Sequence, residues 1–431
     1  MSAIAVVGGG YVGLTTAACF ARLGHDVVCG ELDREKVARL SKGEVPVLEE
    51  GLPALVAEGL AARRLSFVVG AANSVRDAEF VFLCVQTPPG PDGAADLGVL
   101  EGAVREIAPI LRPGSVVINK STVPVGTAAF VERLLGEAGV PAGSIGVASN
   151  PEFLREGTAV RDFLEPNRVV IGCQDTAVAV RVSELYRSLR APILVTDAAS
   201  AELIKYASNA FLATKVSFIN EIANLCEAVS ADVREVALGI GYDPRIGFEF
   251  LHPGPGFGGS CLPKDVAALL HTSEEAGYEF HLLAAVSEVN ALQHGRIVAK
   301  IREALPAGLA GARVALWGLT FKANTDDLRD SPALGVASTL VAEGAEVRAY
   351  DPVAGERAPD WVAGLDVAAD AYEACTGADV VVVLTEWDEF RWLDFDRVGA
   401  LVGSRRIVDA RNLLDPAAMR KRGFTYLGLG R

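Results

Sequence analysis

"IAVVGGGYVG", Ile4 to Gly13, decides how the chain begins to fold. Four apolar residues read as a buried strand, and "LTTAACFARLG" after the glycines reads as a helix. Between them Gly8, Gly10 and Gly13 form a GxGxxG. The first glycine makes the tight turn, the second lets backbone approach a pyrophosphate, and the third lets the helix pack closely on the strand. The helix N-terminus then faces the phosphate charge. Glu31 ends the next strand, "DVVCGE", where an acid accepts hydrogen bonds from adenosine ribose hydroxyls. Such an acid repels the additional phosphate of NADP, so NAD is the expected dinucleotide, with Arg34 and Lys36 nearby softening that preference.

Outward from this stretch the pattern repeats. "EFVFLCV", "SVVINKS" and "IGVASNPE" are further Val- and Ile-rich runs separated by amphipathic segments, as in parallel strands buried on both faces. From about Asp197 to Gly239 one uninterrupted helical region is expected, followed by the loop "PGPGFGGSCLPKD" and more helix to about residue 305. After the linker "LPAGLAGA", the runs "RVALWGL", "EVRAYDP", "DVVVVLTEW" and "RRIVDARN" open a second α/β pattern with no visible sequence repeat of the first. The expected class is α/β. Two Rossmann-like, doubly wound parallel-sheet domains are joined by a long central helix and a helical middle domain, with boundaries at 1–195, 196–305 and 306–431.

A length of 431 residues, half of them hydrophobic, suits two or three domains with large cores. The formal net charge of −15 argues against nucleic acid, whose recognition rests on basic surface. An anionic small substrate then needs a local positive pocket. No apolar run approaches the roughly 20 residues of a membrane span, and the N-terminal strand lacks signal-peptide features, so no membrane association and a cytoplasmic location are expected. Seven scattered cysteines with no CxxC pair, and five histidines without ligand spacing, point to neither a disulfide framework nor a metal site.

Pro253 to Asp265 sets Cys261 among four glycines and three prolines, just ahead of a helix and beside Lys264. Glycines admit close approach of backbone to a ligand, and a helix N-terminus with a lysine nearby favours thiolate. A buried, inert cysteine in a turn is the plainer alternative. Thr87, Ser121 and Thr122 follow strands of the first domain, where open α/β sheets form their ligand crevice; ordinary turn hydrogen bonding is the alternative. Glu152 and Glu156 lie four apart, as a surface pair on one helical turn or as carboxylates able to activate water. Lys205 and Asn209 share the same spacing on the long helix, where a cation and an amide can meet a developing oxyanion. Otherwise Lys205 reaches the surface along its apolar stem.

Together "GGGYVG", "KSTVPVGT", "NPEFLREG", "ELIKYASNAFLATKVSFINEIANLCE", "GFGGSCLPKD", "GLTFKANTDDLRDSP" and "DARN" resemble the UDP-glucose/GDP-mannose dehydrogenase family over essentially the whole chain. "GIGYDPRIGFEFLHPGPGFGGSCLPKD" is most similar to the branch that oxidises UDP-glucose at C6. The resemblance implies a four-electron oxidation of a primary alcohol to a carboxylate with two NAD+ and one water. Cys261 would be the nucleophile, carrying a thiohemiacetal and then a thioester. Lys205, with Asn209, would stabilise oxyanions. Asp265 would orient water and Lys205, and Glu152 would be the hydrolytic base with Thr122 holding the water. Gly8, Gly10, Tyr11, Val12, Gly13, Glu31, Lys36, Thr87, Ser121, Glu156, Lys264 and Arg329 would contact the cofactor. Phe153, Leu154, Lys205, Asn209, Phe250, Phe257, Gly258 and Lys322 would contact the nucleotide sugar. Arg245 resembles an arginine that reaches the sugar from a second subunit, which implies a homodimer.

One position departs from the family, which usually has Asp where Glu31 stands. The longer side chain still accepts from both ribose hydroxyls. The base is weakly specified, so dTDP-glucose remains open as a substrate, and a GDP-mannose 6-dehydrogenase, whose purine demands a different pocket, is the second enzyme reading. A non-catalytic nucleotide-sugar or NAD binding protein, and a two-electron dehydrogenase of the 6-phosphogluconate type, are the other classes weighed. The latter needs neither the cysteine loop nor a second nucleotide domain.

Overall fold

The computed structural model describes residues 1–431. The chain forms two compact units, one of residues 1–208 with 267–278 and the other of residues 209–266 with 279–431. The helical middle is thus shared between them.

In the first unit β1 (Ala3–Val7), β2 (Asp26–Glu31), β3 (Leu65–Val69), β4 (Phe80–Leu83), β5 (Val116–Asn119), β6 (Gly146–Ser149), β7 (Val169–Gly172) and β8 (Ile193–Thr196) form one sheet. Its order is β3-β2-β1-β4-β5-β6-β7-β8. Side chains alternate faces along each strand. Ile4, Val6, Phe82 and Ile118 enter one hydrophobic cluster, and Ala5, Val7, Val81, Leu83 and Val117 enter the other. Both faces are covered, which is why these strands read as continuous apolar runs. The sheet is not parallel throughout. β7 meets β6 antiparallel through the single pair Ser149 and Gly172, and β8 follows β7. The connection between β6 and β7 is mostly loop with one six-residue helix, Ala159–Leu164, and it reverses the chain rather than crossing the sheet.

The second unit carries β9 (Arg313–Trp317), β10 (Glu346–Tyr350), β11 (Asp366–Val367), β12 (Val380–Val383), β13 (Arg406–Asp409) and β14 (Thr425–Gly428). Their order is β11-β10-β9-β12-β13-β14, parallel throughout. Val314, Leu316, Val380 and Val382 pack against Ile297 and Ile301 of the helix His281–Ala304, while Ala315, Trp317, Val381 and Val383 fill the opposite face.

Both sheets reverse their order beside the first strand of each, the switch point where such sheets bind ligands. The same steric solution appears at each. A Cβ on Gly8, after β1, would stand 2.4 Å from Cys84 O after β4, and one on Gly318, after β9, would stand 2.3 Å from Thr385 Cβ after β12. The acids that follow the second strands differ. Asp351, after β10, accepts from Leu319 N, Thr320 N, Thr320 Oγ1, Val353 N, Ala354 N and Trp387 Nε1, so both its oxygens are occupied internally.

The long helix, Ala198–Val229, has 32 residues, and no helix is long and apolar enough to cross a membrane. It ends earlier than the sequence suggests. Ser230 takes φ +60°, and a new helix, Val233–Gly241, starts from Asp232, whose side chain accepts from Arg234 N at 2.8 Å. A serine in the left-handed region followed by an aspartate cap ends one helix and begins another without proline. Asp232→Ala is expected to cost about 1 kcal/mol in urea denaturation, with Asp232→Asn close to the parent.

Candidate functional site

At the end of β1, Gly8 N donates to Gly30 O at 2.8 Å, and Gly8 takes φ +104°. A Cβ on Gly13 would lie 1.9 Å from Gly8 O, so only glycine lets the helix Tyr11–Arg22 come this close. A Cβ on Gly10, by contrast, would meet nothing within 4 Å. That helix begins with no side-chain cap and no acid in its first turn. Its leading N–H groups are left for an anion, and the open face at Gly10 gives one room. These residues fit a dinucleotide pyrophosphate. Glu31, beside Gly9, receives Leu32 N and Asp33 N on Oε1 and pairs with Lys36 through Oε2 at 3.1 Å. Partial burial works to raise its pKa, but the Lys36 hydrogen bond and the two N–H groups outweigh it and hold the acid below its ordinary value.

Three other residues expected at the cofactor use their hydroxyls inside the protein. Thr87 Oγ1 donates to Thr122 O at 2.9 Å, and Ser121 Oγ bonds Val85 O at 2.6 Å. Tyr11 donates its hydroxyl to Glu49 and accepts from Gly157 N at 2.9 Å. For Thr87 and Ser121 this is not bonding within one turn: each hydroxyl reaches backbone of the other loop, and together they tie the loops after β4 and β5 to each other. Glu49, which the sequence did not single out, also accepts from Gly157 N at 2.7 Å and Val160 N at 3.3 Å. It thereby joins the glycine loop to the segment carrying Glu152 and Glu156.

That segment is a loop, so Glu152 and Glu156 do not share a helical turn. Glu152 Oε2 accepts from Leu154 N at 2.5 Å, Arg155 is engaged by Asp162, and Gly157 takes φ +84°, each incompatible with a continuing helix. Glu152 is 5% exposed, and its Oε1 lies 2.9 Å from Nζ of Lys205, which is 4% exposed. Burial works to raise the pKa of Glu152, but the Lys205 charge and hydrogen bond, the Leu154 N–H and the more distant Lys120 together hold it below the ordinary value. Phe153 lies under both Lys205 and Arg168, their cationic groups 5.5 and 3.5 Å from its ring centroid. Leu154 is half-buried at the edge of the core. Thr122 and Lys205 line one small cavity of about 10 Å3 with Asn119, Ser149 and Glu202.

Two further buried charges have no clear sequence signal. Lys120 donates to Asn150 Oδ1 at 3.1 Å, and burial lowers its pKa to about 8. Glu202, one turn before Lys205, accepts from Gly126 N, Ala128 N and Ser149 Oγ at 2.7, 2.9 and 2.8 Å. Burial raises its pKa despite those bonds. It fastens the long helix to the start of the helix Thr127–Glu137.

In the second unit Cys261 stands immediately before the helix Leu262–Glu275. It alone of the seven cysteines is not buried, and its Sγ lies 3.6 Å from Ser260 Oγ. The buried thiols Cys19, Cys84 and Cys375 are each pushed up to about 12, chiefly by burial. Asp265, 1% exposed, receives Asn209 Nδ2 on Oδ2 at 2.5 Å and Lys264 Nζ on Oδ1 at 2.6 Å. Asn209 and Asp265 thus meet as a pair, and Lys264 is spent on the same carboxylate. A Cβ on Gly258 would lie 2.1 Å from Asp330 O, and Phe257 beside it is buried. Phe250 takes φ +64°. Lys322 lies 5.4 Å from the Phe321 ring centroid. Arg329 forms a two-bond pair with Asp327, and Arg245, 87% exposed, does the same with Asp243.

Three domains of the UDP-glucose/GDP-mannose dehydrogenase family match the chain: the NAD binding domain at residues 2–190, the central domain at 199–292 and the UDP binding domain at 315–416. The chain is 46% identical to a UDP-glucose 6-dehydrogenase of Rhizobium meliloti strain 1021, over 99% of each chain. It resembles the solved UDP-glucose dehydrogenase of Pyrobaculum islandicum, with a TM-score of 0.90 and 36% identity, covering 99% of this chain and 97% of that one. It also resembles a UDP-D-ManNAc dehydrogenase of Pyrococcus horikoshii, with a TM-score of 0.89 and 30% identity over 99% of each chain.

The Lys205–Glu152 pair makes a stability prediction independent of chemistry. Because Glu152 is held below its ordinary pKa, its contribution is present above the unfolded value of about 4.3 and lost as pH falls through the folded value. Lys205→Met leaves a buried carboxylate unpaired and is expected to cost about 3 kcal/mol in urea denaturation at neutral pH. Adding Glu152→Gln should recover most of that loss.

Proposed function

The chain belongs to the UDP-glucose/GDP-mannose dehydrogenase family, and from that premise we propose that it oxidises C6 of UDP-glucose to give UDP-glucuronate. The observation that carries the chemistry is Cys261, the one cysteine not buried, placed ahead of a helix N-terminus. Such a position favours the thiolate, the form that adds to a carbonyl.

Gly8, Gly10 and Gly13 with the helix start behind them would hold NAD+, which would supply the hydride acceptor for both oxidations. Lys205 offers its ammonium to the C6 oxygen as the alcohol loses its proton and becomes an aldehyde, with Asn209 on the next turn of the helix. Cys261 Sγ then forms a bond to C6, giving a thiohemiacetal whose remaining C–H bond can be lost as the second hydride. The product is a thioester on Cys261. Glu152 removes a proton from water held by Thr122, hydroxide adds to C6, the C–S bond breaks, and Cys261 leaves as thiolate. Asp265, fixed by Asn209 and Lys264, serves the proton transfers. Lys322 would supply positive charge beside the substrate's phosphates, as an acidic protein with anionic ligands requires, and Arg329 would contact the cofactor.

We place the functional divisions at 1–195 for the cofactor, 196–305 for association and the cysteine loop, and 306–431 for the nucleotide sugar. A homodimer is supported by the long helix, where Phe211, Phe218 and Leu225 recur every seven residues and are 65%, 51% and 56% exposed. Seven residues make nearly two turns, so these side chains form one unpartnered apolar stripe. Arg245 of a second subunit would then reach the sugar. An NAD-dependent enzyme with a reactive thiol suits the reducing cytoplasm.

NADH formation across UDP-glucose, dTDP-glucose, GDP-mannose and UDP-N-acetylmannosamine tests the reading. UDP-glucose should turn over fastest, with two NADH per UDP-glucuronate. Cys261→Ala should lower acid production by about three orders of magnitude or more. One NADH per sugar would remove the four-electron scheme, and binding without NADH would favour a non-catalytic protein. Phe218→Asp should shift the assembly from dimer towards monomer by light scattering, and a wild-type monomer would exclude the dimer.

A further inference from the structure

Three amide side chains converge on the backbone of the cysteine loop. Asn290, on the helix His281–Ala304, grips Phe257 at two points. Its Oδ1 accepts from Phe257 N at 2.8 Å, and its Nδ2 donates to Phe257 O at 3.1 Å. Gly256, just before, has φ +115°, and a Cβ there would stand 2.8 Å from the same Oδ1. The peptide groups of Gly254 are held likewise. Its N–H donates to Asn220 Oδ1 at 2.8 Å, and Gln293 Nε2 donates to its carbonyl at 2.9 Å.

Asn220 and Gln293 are 0% and 1% exposed, yet Asn220 Nδ2 and Gln293 Oε1 have no partner. A methionine or leucine would fill such positions without a buried orphan group. Packing therefore does not account for these amides, whereas the loop geometry does. On its far side the same stretch is fixed by Gly259 N donating to Arg329 O at 3.1 Å.

Resting on the nucleotide-sugar reading above, we propose that Asn290 is the positioning residue of this loop, setting Phe257 and Gly258 in the conformation that grips the substrate. Asn220 and Gln293 hold the preceding turn. Asn290 itself contacts no reacting atom; it acts through the Phe257 backbone. Both hydrogen bonds of the clamp need an amide, because a carboxylate keeps the acceptor and turns an oxygen against Phe257 O.

Steady-state kinetics of Asn290→Asp and Asn290→Leu test this, with melting temperature measured alongside. The KM for UDP-glucose should rise about tenfold in Asn290→Asp and further in Asn290→Leu, while the KM for NAD+ stays within about twofold. Hydrogen exchange in the peptide spanning residues 253–262 should quicken in the same order, with the rest of the chain unchanged. An unchanged UDP-glucose KM, or both KM values rising together with a general loss of melting temperature, overturns the proposal. The exchange experiment needs no substrate. Absence of wild-type turnover with UDP-glucose would therefore count against the function alone, and unaltered exchange against the clamp alone.

Discussion

Two opposite charges meet in an almost dry interior where Lys205 Nζ touches Glu152 Oε1. Removing each from water costs several kcal/mol, and their attraction offsets that only when the geometry is close and the other lone pairs are satisfied. Leu154 N supplies the second condition. The pair therefore ties the loop after β6 to one position on the long helix. Glu202, one turn earlier, ties the same helix to the start of the helix Thr127–Glu137. A buried charge that loses its partner is strongly destabilising. Two buried carboxylates thus hold neighbouring turns of the helix, Glu152 through Lys205 and Glu202 through its own three donors.

The elements legible in the sequence were those whose signal is local. The glycine loop was readable because Gly8 and Gly13 leave no room for a Cβ, and the central strands because both faces are buried. Cys261 was readable because its glycine-rich surroundings and the helix after it lie within a few residues. What stayed hidden depended on partners distant in the chain. Nothing near Glu49 announces that it receives Tyr11 and Gly157, and nothing near Lys120 announces Asn150. The antiparallel turn into β7 rests on a single residue pair, and the break at Ser230 needs no glycine or proline. Glu152 was singled out as a carboxylate, but only tertiary packing makes it a buried one.

Hydroxyls at the strand ends teach a related lesson. Thr87 and Ser121 sit where a ligand crevice belongs, yet each bonds backbone. Their contribution is to hold the loops after β4 and β5 in fixed relation. A crevice built from rigid loops loses less entropy on binding than one that must assemble around its ligand.

The two sheets solve their switch points alike and diverge in the acid that follows. Glu31 faces the glycine loop with Lys36 as its one side-chain partner, whereas the oxygens of Asp351 are saturated by six donors of its own unit. Asp351 thus has no oxygen left for a ribose, whereas the glycine loop beside Glu31 fits a dinucleotide. On the proposed chemistry two oxidation rounds must share that berth in turn. In that scheme the half-finished sugar would have to be kept waiting between them, and a tether of carbon to sulfur would prevent its escape.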